Sequence, residues 1–206
     1  MTLAGNGING PWDMTALDFG GFAVLFVTNV LNGTVLANGN VVNEGTVLRM
    51  VLAIPPSGTP KELVRTMIGS GFPERTDPAA LVIGPTGLSL GFDGTLFVAD
   101  TLGNRIAAIP GALFRLDDAK TGVTVSKGGA LNGPLGLATA SNGNLLTVNS
   151  GDGNLVEITP GGQQVAVKAI DVSKQGAGTL FGLAIAPEGN GVYFVDDGNN
   201  TLNLLH

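Results

Sequence analysis

The sequence has no cysteine, and His206 is its single histidine among 206 residues. Without cysteine, the chain can form no disulfide framework, thiolate metal site or thiol nucleophile. With one histidine, it cannot supply a histidine-based catalytic triad or a multi-histidine metal site. The chemistry of any site must therefore come from carboxylate, amide, hydroxyl and guanidinium groups.

Positive charge and long apolar segments are also scarce. The chain has 10 basic and 16 acidic residues, a net charge of −6, and no cluster of Lys or Arg. Nucleic acid and anionic membranes are therefore not expected as partners. No apolar run approaches the roughly 20 residues that span a bilayer, and residues 1–7 lack the basic start of a signal peptide. We expect this chain to have no membrane span and no signal peptide of its own.

Turn-forming residues are abundant. The chain contains 33 glycines and 11 prolines, yet 44% of its residues are hydrophobic, which argues against disorder. Many turns around an apolar core predict an all-β fold.

One pattern occurs four times along the chain. Each copy has a short apolar strand, a tight turn and a strongly apolar strand that ends in Asn or Asp. These closing residues are Asn29, Asp100, Asn149 and Asp196. They are 71, 49 and 47 positions apart, and the last two spacings fit the 40–50 residues of a four-stranded propeller blade. The first copy carries an insertion of roughly 20–25 residues.

The turns between the strands favour antiparallel hairpins. Asp93-Gly94 and Asn142-Gly143 are dipeptides typical of type I′ turns. The sequence therefore predicts an all-β fold of four-stranded antiparallel blades, a β-propeller in one domain over residues 1–206. The four predicted blades span residues 10–69, 84–126, 133–171 and 180–206, the last one completed by a strand at 2–4. Trp12 and Tyr193 are expected to pack within this apolar framework.

The second copy carries a family resemblance. The stretch from Gly84 to Ile106, with Val98-Ala99-Asp100-Thr101 and Gly103-Asn104-Arg105-Ile106, resembles an NHL repeat. That resemblance implies a six-bladed propeller. The whole chain resembles the C-terminal two thirds of a group of uncharacterised, exported bacterial NHL proteins. This implies that the full-length protein is periplasmic or extracellular, and it implies no activity.

Two interpretations of the chain ends remain open. In the first, the strand at 2–4 completes the last blade and closes a four-bladed ring, hiding a sheet edge. In the second, two blades of a six-bladed propeller are missing, and the apolar faces of the end blades are bare. We favour the second interpretation, which predicts self-association.

Polar residues gather on one face of the predicted propeller. We call it the loop face, where the blade-to-blade connections and the loops between second and third strands lie. The repeated positions Asp100, Asn149 and Asp196 are expected to bind their own turns, a structural role. The candidate ligand-binding residues are Asp13, Asn29, Glu44, Glu74, Arg75, Asp77, Asp152 and Asp197.

Two segments of the loop face differ from the repeat. Residues 70–78 place Glu74, Arg75 and Asp77 within four positions, and the insertion at 30–45 is either a lid or a surface hairpin. Carboxylate and amide oxygens around an axial channel could hold Ca²⁺, which takes six to eight oxygen ligands.

Two functions follow from this sequence. The first is a non-catalytic scaffold that binds a protein or small-molecule ligand on the loop face. The second is a Ca²⁺-dependent hydrolase of the gluconolactonase type, a class known among six-bladed relatives. The sequence favours the scaffold, because no catalytic residues stand out.

Overall fold

The repeat pattern produces the expected architecture. The computed structural model describes residues 1–78, 80–171 and 180–206. These residues form four antiparallel sheets arranged as a four-bladed β-propeller, with one four-residue helix, α1 (Thr34–Ala37). No helix among the described residues is long and apolar enough to cross a membrane.

Each sheet is a meander of strands in chain order. The first blade comprises β1 (Pro11–Asp18), β2 (Phe22–Asn29), β3 (Val42–Ala53), β4 (Lys61–Asp77) and β5 (Leu81–Ile83). The second comprises β6 (Pro85–Leu90), β7 (Leu96–Asp100), β8 (Arg105–Ile109) and β9 (Val123–Lys127). The third comprises β10 (Pro134–Thr139), β11 (Leu145–Asn149), β12 (Asn154–Ile158) and β13 (Gln164–Ala169). The fourth comprises β14 (Leu180–Ile185), β15 (Val192–Asp196) and β16 (Thr201–Leu205).

The first blade extends beyond the expected residues 10–69. Its fourth strand, β4, runs on to Asp77 and pairs with β5, so this sheet has five strands. The insertion between β2 and β3 contains α1, which packs against β4. The insertion, the end of β4 and β5 therefore form a raised edge on the loop face of the first blade.

The closing residues lie at equivalent positions in all four blades. Each pairs with the first residue of its own innermost strand: Pro11 with Asn29, Pro85 with Asp100, Pro134 with Asn149, and Leu180 with Asp196. In every blade the register is irregular just after this pair. The starts of the innermost strands thus come together around one axis on the loop face.

The hydrophobic core lies between the blades. In β7, Val98 packs toward the first blade and Phe97 toward the third, because successive side chains point to opposite faces of a strand. This explains why the second strand of each copy is almost continuously apolar. A third cluster joins the last two blades around Leu180 and Phe194. Among the described residues, no such cluster joins the first blade to the fourth.

The N-terminal segment differs from its expected position. Residues 2–4 lie in no strand, and the fourth blade remains three-stranded in the described part of the chain. Leu3 and Ile8 instead line a cavity on the outer face of the first blade. Arg65 fixes this segment by donating hydrogen bonds to the carbonyls of Gly5 and Asn6.

The outer face of the fourth blade is apolar and exposed. Val195, Leu202 and Leu204 are 40%, 69% and 39% exposed, and the first two are paired across β15 and β16. Their side chains lie on the opposite side of the sheet from the core around Phe194. A further blade or a second molecule would be needed to cover this surface.

Candidate functional site

A cavity of about 420 Å³ lies on the propeller axis. All four innermost strands contribute to its wall, which we call the axial cavity. Its lining residues are Pro11, Trp12, Asp13, Gly87, Leu135, Gly136, Phe181, Gly182 and Leu183. The rings of Trp12 and Phe181 lie across it with centroids 6.2 Å apart. The cavity is therefore aromatic and apolar, with room for a small organic molecule.

Asp13 is the single ionisable side chain in this lining. Its two carboxylate oxygens accept hydrogen bonds from the backbone N–H groups of Leu88, at 2.8 Å, and Met14, at 2.7 Å. Burial raises the pKa of Asp13, and these two hydrogen bonds oppose the increase. A carboxylate with a raised pKa, fixed by the backbone of two blades, is a suitable proton acceptor.

The hairpin of β4 and β5 forms one side of a second cavity, of about 170 Å³, on the loop face. Arg75 and Asp77 line it together with Thr101 and Ser150, and Leu135 lines both cavities. Arg75 Nη2 and Asp77 Oδ2 form an ion pair at 2.9 Å. We call this second space on the loop face the entrance cavity; Leu135 lies in the wall of both cavities.

Glu74 lies beside this hairpin but is buried in the first blade. Its side chain has no exposed surface, and neither carboxylate oxygen has a partner at hydrogen-bond distance and angle, although the Asn32 backbone N–H lies near the carboxylate. Burial, and to a smaller extent the charge of nearby Glu44, raise the pKa of Glu74 to about 8, against the opposing effect of the Asn32 backbone N–H. The structure thus brings Glu44 and Glu74 together, apart from Arg75 and the axial cavity.

The repeated closing residues bind local backbone and side chains. Asp100 accepts hydrogen bonds from the Gly103 backbone N–H and from Arg105 Nε. Asp196 accepts two hydrogen bonds from Asn199. These contacts hold the turn after the second strand.

The two asparagine positions are also buried and bonded. Asn149 donates to the Ala130 carbonyl and to Asp152 Oδ1. Asn29 accepts a hydrogen bond from the Asn9 backbone N–H and donates one to Thr46. Both side chains connect neighbouring loops.

The remaining candidates lie away from the axial cavity. Asp152 accepts hydrogen bonds from Asn149, from the Asn154 backbone N–H and from Asn132. Asp197 is exposed beside the last turn. Of the eight sequence candidates, Asp13 lines the axial cavity and Arg75 and Asp77 line the entrance cavity.

The side chains of the axial cavity do not provide a calcium site. Within the described ranges, no group of three or more His, Cys, Asp and Glu side chains could hold one metal ion. The axial lining offers the carboxylate of Asp13 against the six to eight oxygens that Ca²⁺ takes.

Sequence reasoning missed the aromatic pair of the axial cavity. The sequence pattern places Trp12 in the apolar framework of the repeat, and it gives no functional signal at Phe181. The available signal was the departure of Trp12-Asp13-Met14 from the Gly-Leu of the second and third copies. Only the fold shows that this departure faces the propeller axis.

No family model matches the sequence, and no curated protein matches it significantly. The NHL resemblance of residues 84–106 therefore stays a prediction.

Solved structures share the fold. A gluconolactonase from Xanthomonas campestris is 16% identical with a TM-score of 0.54, and the match covers 99% of this chain and 60% of that one. A luciferin-regenerating enzyme is 14% identical with a TM-score of 0.54, covering 90% and 54% of the two chains. Inactive H270A virginiamycin B lyase from Staphylococcus aureus, with quinupristin, is 15% identical with a TM-score of 0.50, covering 97% and 85%.

These likenesses establish the propeller fold alone, because the identities are low. The chain also spans less than two thirds of the length of the gluconolactonase and of the luciferin-regenerating enzyme. Any activity must therefore be argued from the cavities and their residues.

Proposed function

We propose that this chain is a propeller hydrolase of the lactonase type, which acts on a small lactone or ester in the axial cavity. The observation that carries the proposal is the position of Asp13, the single carboxylate in the lining of this aromatic cavity, half-buried and with a raised pKa. The gluconolactonase among the structural neighbours supports this class of substrate. A non-catalytic scaffold would not need an ionisable group with a raised pKa in the lining of this cavity.

The residues of the two cavities have different roles in the proposed hydrolysis. Trp12 and Phe181, in contact with each other, form an aromatic wall against which the ring of the substrate packs by apolar contact. Each Asp13 oxygen keeps lone-pair capacity beyond its backbone hydrogen bond, so the carboxylate accepts the proton of the attacking water. Arg75 at the entrance attracts substrates that carry negative charge. The water oxygen adds to the lactone carbonyl carbon, the ring C–O bond breaks, and protonated Asp13 returns the proton to the leaving oxygen, which yields a hydroxy acid.

The lyase among the neighbours suggests a different chemistry, which this chain supports less well. That enzyme is inactive when one of its histidines is replaced by alanine. The single histidine here, His206, donates a hydrogen bond from Nδ1 to the Asn190 carbonyl and lines a cavity with Ser141 and Lys168. That cavity does not share a lining residue with the axial cavity.

The test is hydrolysis of D-glucono-1,5-lactone, followed by acid release at constant pH. We expect Asp13→Asn to lower kcat/KM by roughly 100-fold or more, as removal of a general base does. Asp18→Asn, a matched change in an exposed turn of the same blade, should leave the rate unchanged.

A second pair of variants tests substrate binding. Trp12→Ala should raise KM, whereas Phe114→Ala, which removes an exposed ring elsewhere, should not. Substrate binding without turnover in the unmodified protein would favour the scaffold instead. Equal rates for the unmodified protein and Asp13→Asn would exclude Asp13 as the base.

A further inference from the structure

The raised edge of the first blade contains two neighbouring carboxylate side chains outside the axial cavity. Glu74 in β4 is paired in register with Val42 in β3, and Glu44 follows two residues later in β3. The helix α1 packs against β4 above them. The insertion, the end of β4 and Gly84 thus pack around the Glu74 side chain.

Three buried oxygens in this region lack partners. They are both carboxylate oxygens of Glu74 and the hydroxyl oxygen of Thr34, the first residue of α1. Both side chains have no exposed surface. Leaving such groups unsatisfied is costly, and folded proteins usually provide each of them with a hydrogen bond, a water or an ion.

Glu44 brings a second carboxylate to the same place. Its Oε2 lies 2.7 Å from the position that a Cβ atom on Gly33 would occupy, and Gly33 directly precedes Thr34. Gly33 has φ of 76°, which disfavours a side chain there, so the carboxylate rests against bare backbone. Because Glu44 is exposed while Glu74 is buried, the pair runs from solvent into the blade.

The donor set indicates the class of ligand. Carboxylate and hydroxyl oxygens without any nitrogen or sulfur donor suit a hard cation. Two adjacent carboxylates would repel each other when both are ionised, and a divalent ion between them removes this repulsion. Ca²⁺ fits better than Mg²⁺, because it accepts flexible, bidentate carboxylates and does not require ideal octahedral geometry.

We propose that Glu44, Glu74 and the Thr34 hydroxyl bind one Ca²⁺ ion, which fastens the insertion to β4. The site is separate from the axial cavity and does not depend on the proposed hydrolase activity. With two carboxylates, the affinity falls in the weak range of extracellular calcium modules, with Kd of roughly 0.1–1 mM. Its role is to stabilise the first blade rather than to take part in hydrolysis.

The experiment is thermal unfolding of the whole chain in 10 mM CaCl₂ and in EDTA. A native-state ligand stabilises by mass action, so we expect Ca²⁺ to raise Tm by roughly 3–6 °C. Glu74→Gln and Glu44→Gln should each abolish this difference. Glu188→Gln, which makes the same charge change at an exposed turn on the opposite face, should keep it.

The difference with and without Ca²⁺ is the readout, because Glu74→Gln changes the Tm of the metal-free protein as well. Glu44→Gln changes an exposed residue and so tests the site should Glu74→Gln fail to fold. Mg²⁺ at the same concentration should give a smaller shift than Ca²⁺. The proposal is overturned by equal Tm values in Ca²⁺ and EDTA, or by an undiminished shift in Glu44→Gln.

Discussion

The carboxylate of Asp13 accepts a hydrogen bond from the backbone N–H of Leu88, which joins the first blade to the innermost strand of the second. At the equivalent position the other blades have Gly87, Gly136 and Gly182. A Cβ atom on Gly87 would lie 2.3 Å from the Leu135 carbonyl oxygen, and one on Gly136 would lie 2.2 Å from that of Phe181. The second and third blades thus approach their neighbours through bare backbone, whereas the first does so through a side chain.

Replacing Asp13 should therefore also weaken the first interface between blades. We expect Asp13→Asn to lower the free energy of unfolding by about 1–3 kcal/mol, because an amide nitrogen would face a backbone N–H. Urea denaturation measures this change. Asp18→Asn serves as the control and should change the free energy of unfolding by less than about 0.5 kcal/mol. Equal stability of the two variants would contradict the bridging role.

Val98 tests the core between the first two blades. The side chain is completely buried. We expect Val98→Asp to lower the free energy of unfolding by about 4 kcal/mol or more, because it buries an unpaired charge. Val123→Asp, at a position 63% exposed on the outer strand of the same blade, should unfold at nearly the same urea concentration as the unmodified chain. If both variants behave alike, β7 is wrongly placed.

Glu74 should make stability depend on pH. Its pKa of about 8 in the folded state exceeds its ordinary value of 4.5, so the folded state binds this proton more tightly. In EDTA, the free energy of unfolding should fall as pH rises from 4.5 to 8, through this group, and then level off. In Glu74→Gln this part of the slope should be missing. An identical pH profile in both proteins would show that Glu74 titrates normally.

The exposed face of the fourth blade predicts self-association. Light scattering should give a mass above the 20.8 kDa of one chain, and the fraction of larger species should grow with concentration. Leu202→Asp, at a side chain 69% exposed, should shift the chain toward the monomer with little loss of stability. A monomer at all concentrations would contradict self-association through the exposed face of the fourth blade.

The fold could be predicted because the sequence feature that causes it, the apolar second strand, repeats in every blade. Every blade must bury both faces of its second strand, and this requirement produces the same apolar run before Asn29, Asp100, Asn149 and Asp196. The position of residues 2–4 could not be predicted in the same way. A single short apolar segment can pair at a sheet edge or cover a sheet face, and the choice depends on tertiary contacts such as those of Arg65.

The sites were only partly predictable. Glu74, Arg75 and Asp77 stood out because they interrupt the repeat, yet the structure separates the buried Glu74 from the ion pair of its two neighbours. Alternation along β4 explains this separation, because adjacent residues point to opposite faces of a strand. The meeting of Trp12 and Phe181 involves residues far apart in the sequence, and it follows only from the arrangement of the blades.

The stacking of the blades determines the order in which they unfold. In the described part of the chain, the buried clusters shrink from eleven residues between the first two blades to nine and then to five. A linear stack with nearest-neighbour contacts loses its weakest end first. Amide protons in β15 and β16 should therefore exchange with solvent before those in β7, and a protease should cut the last blade while the other three remain folded.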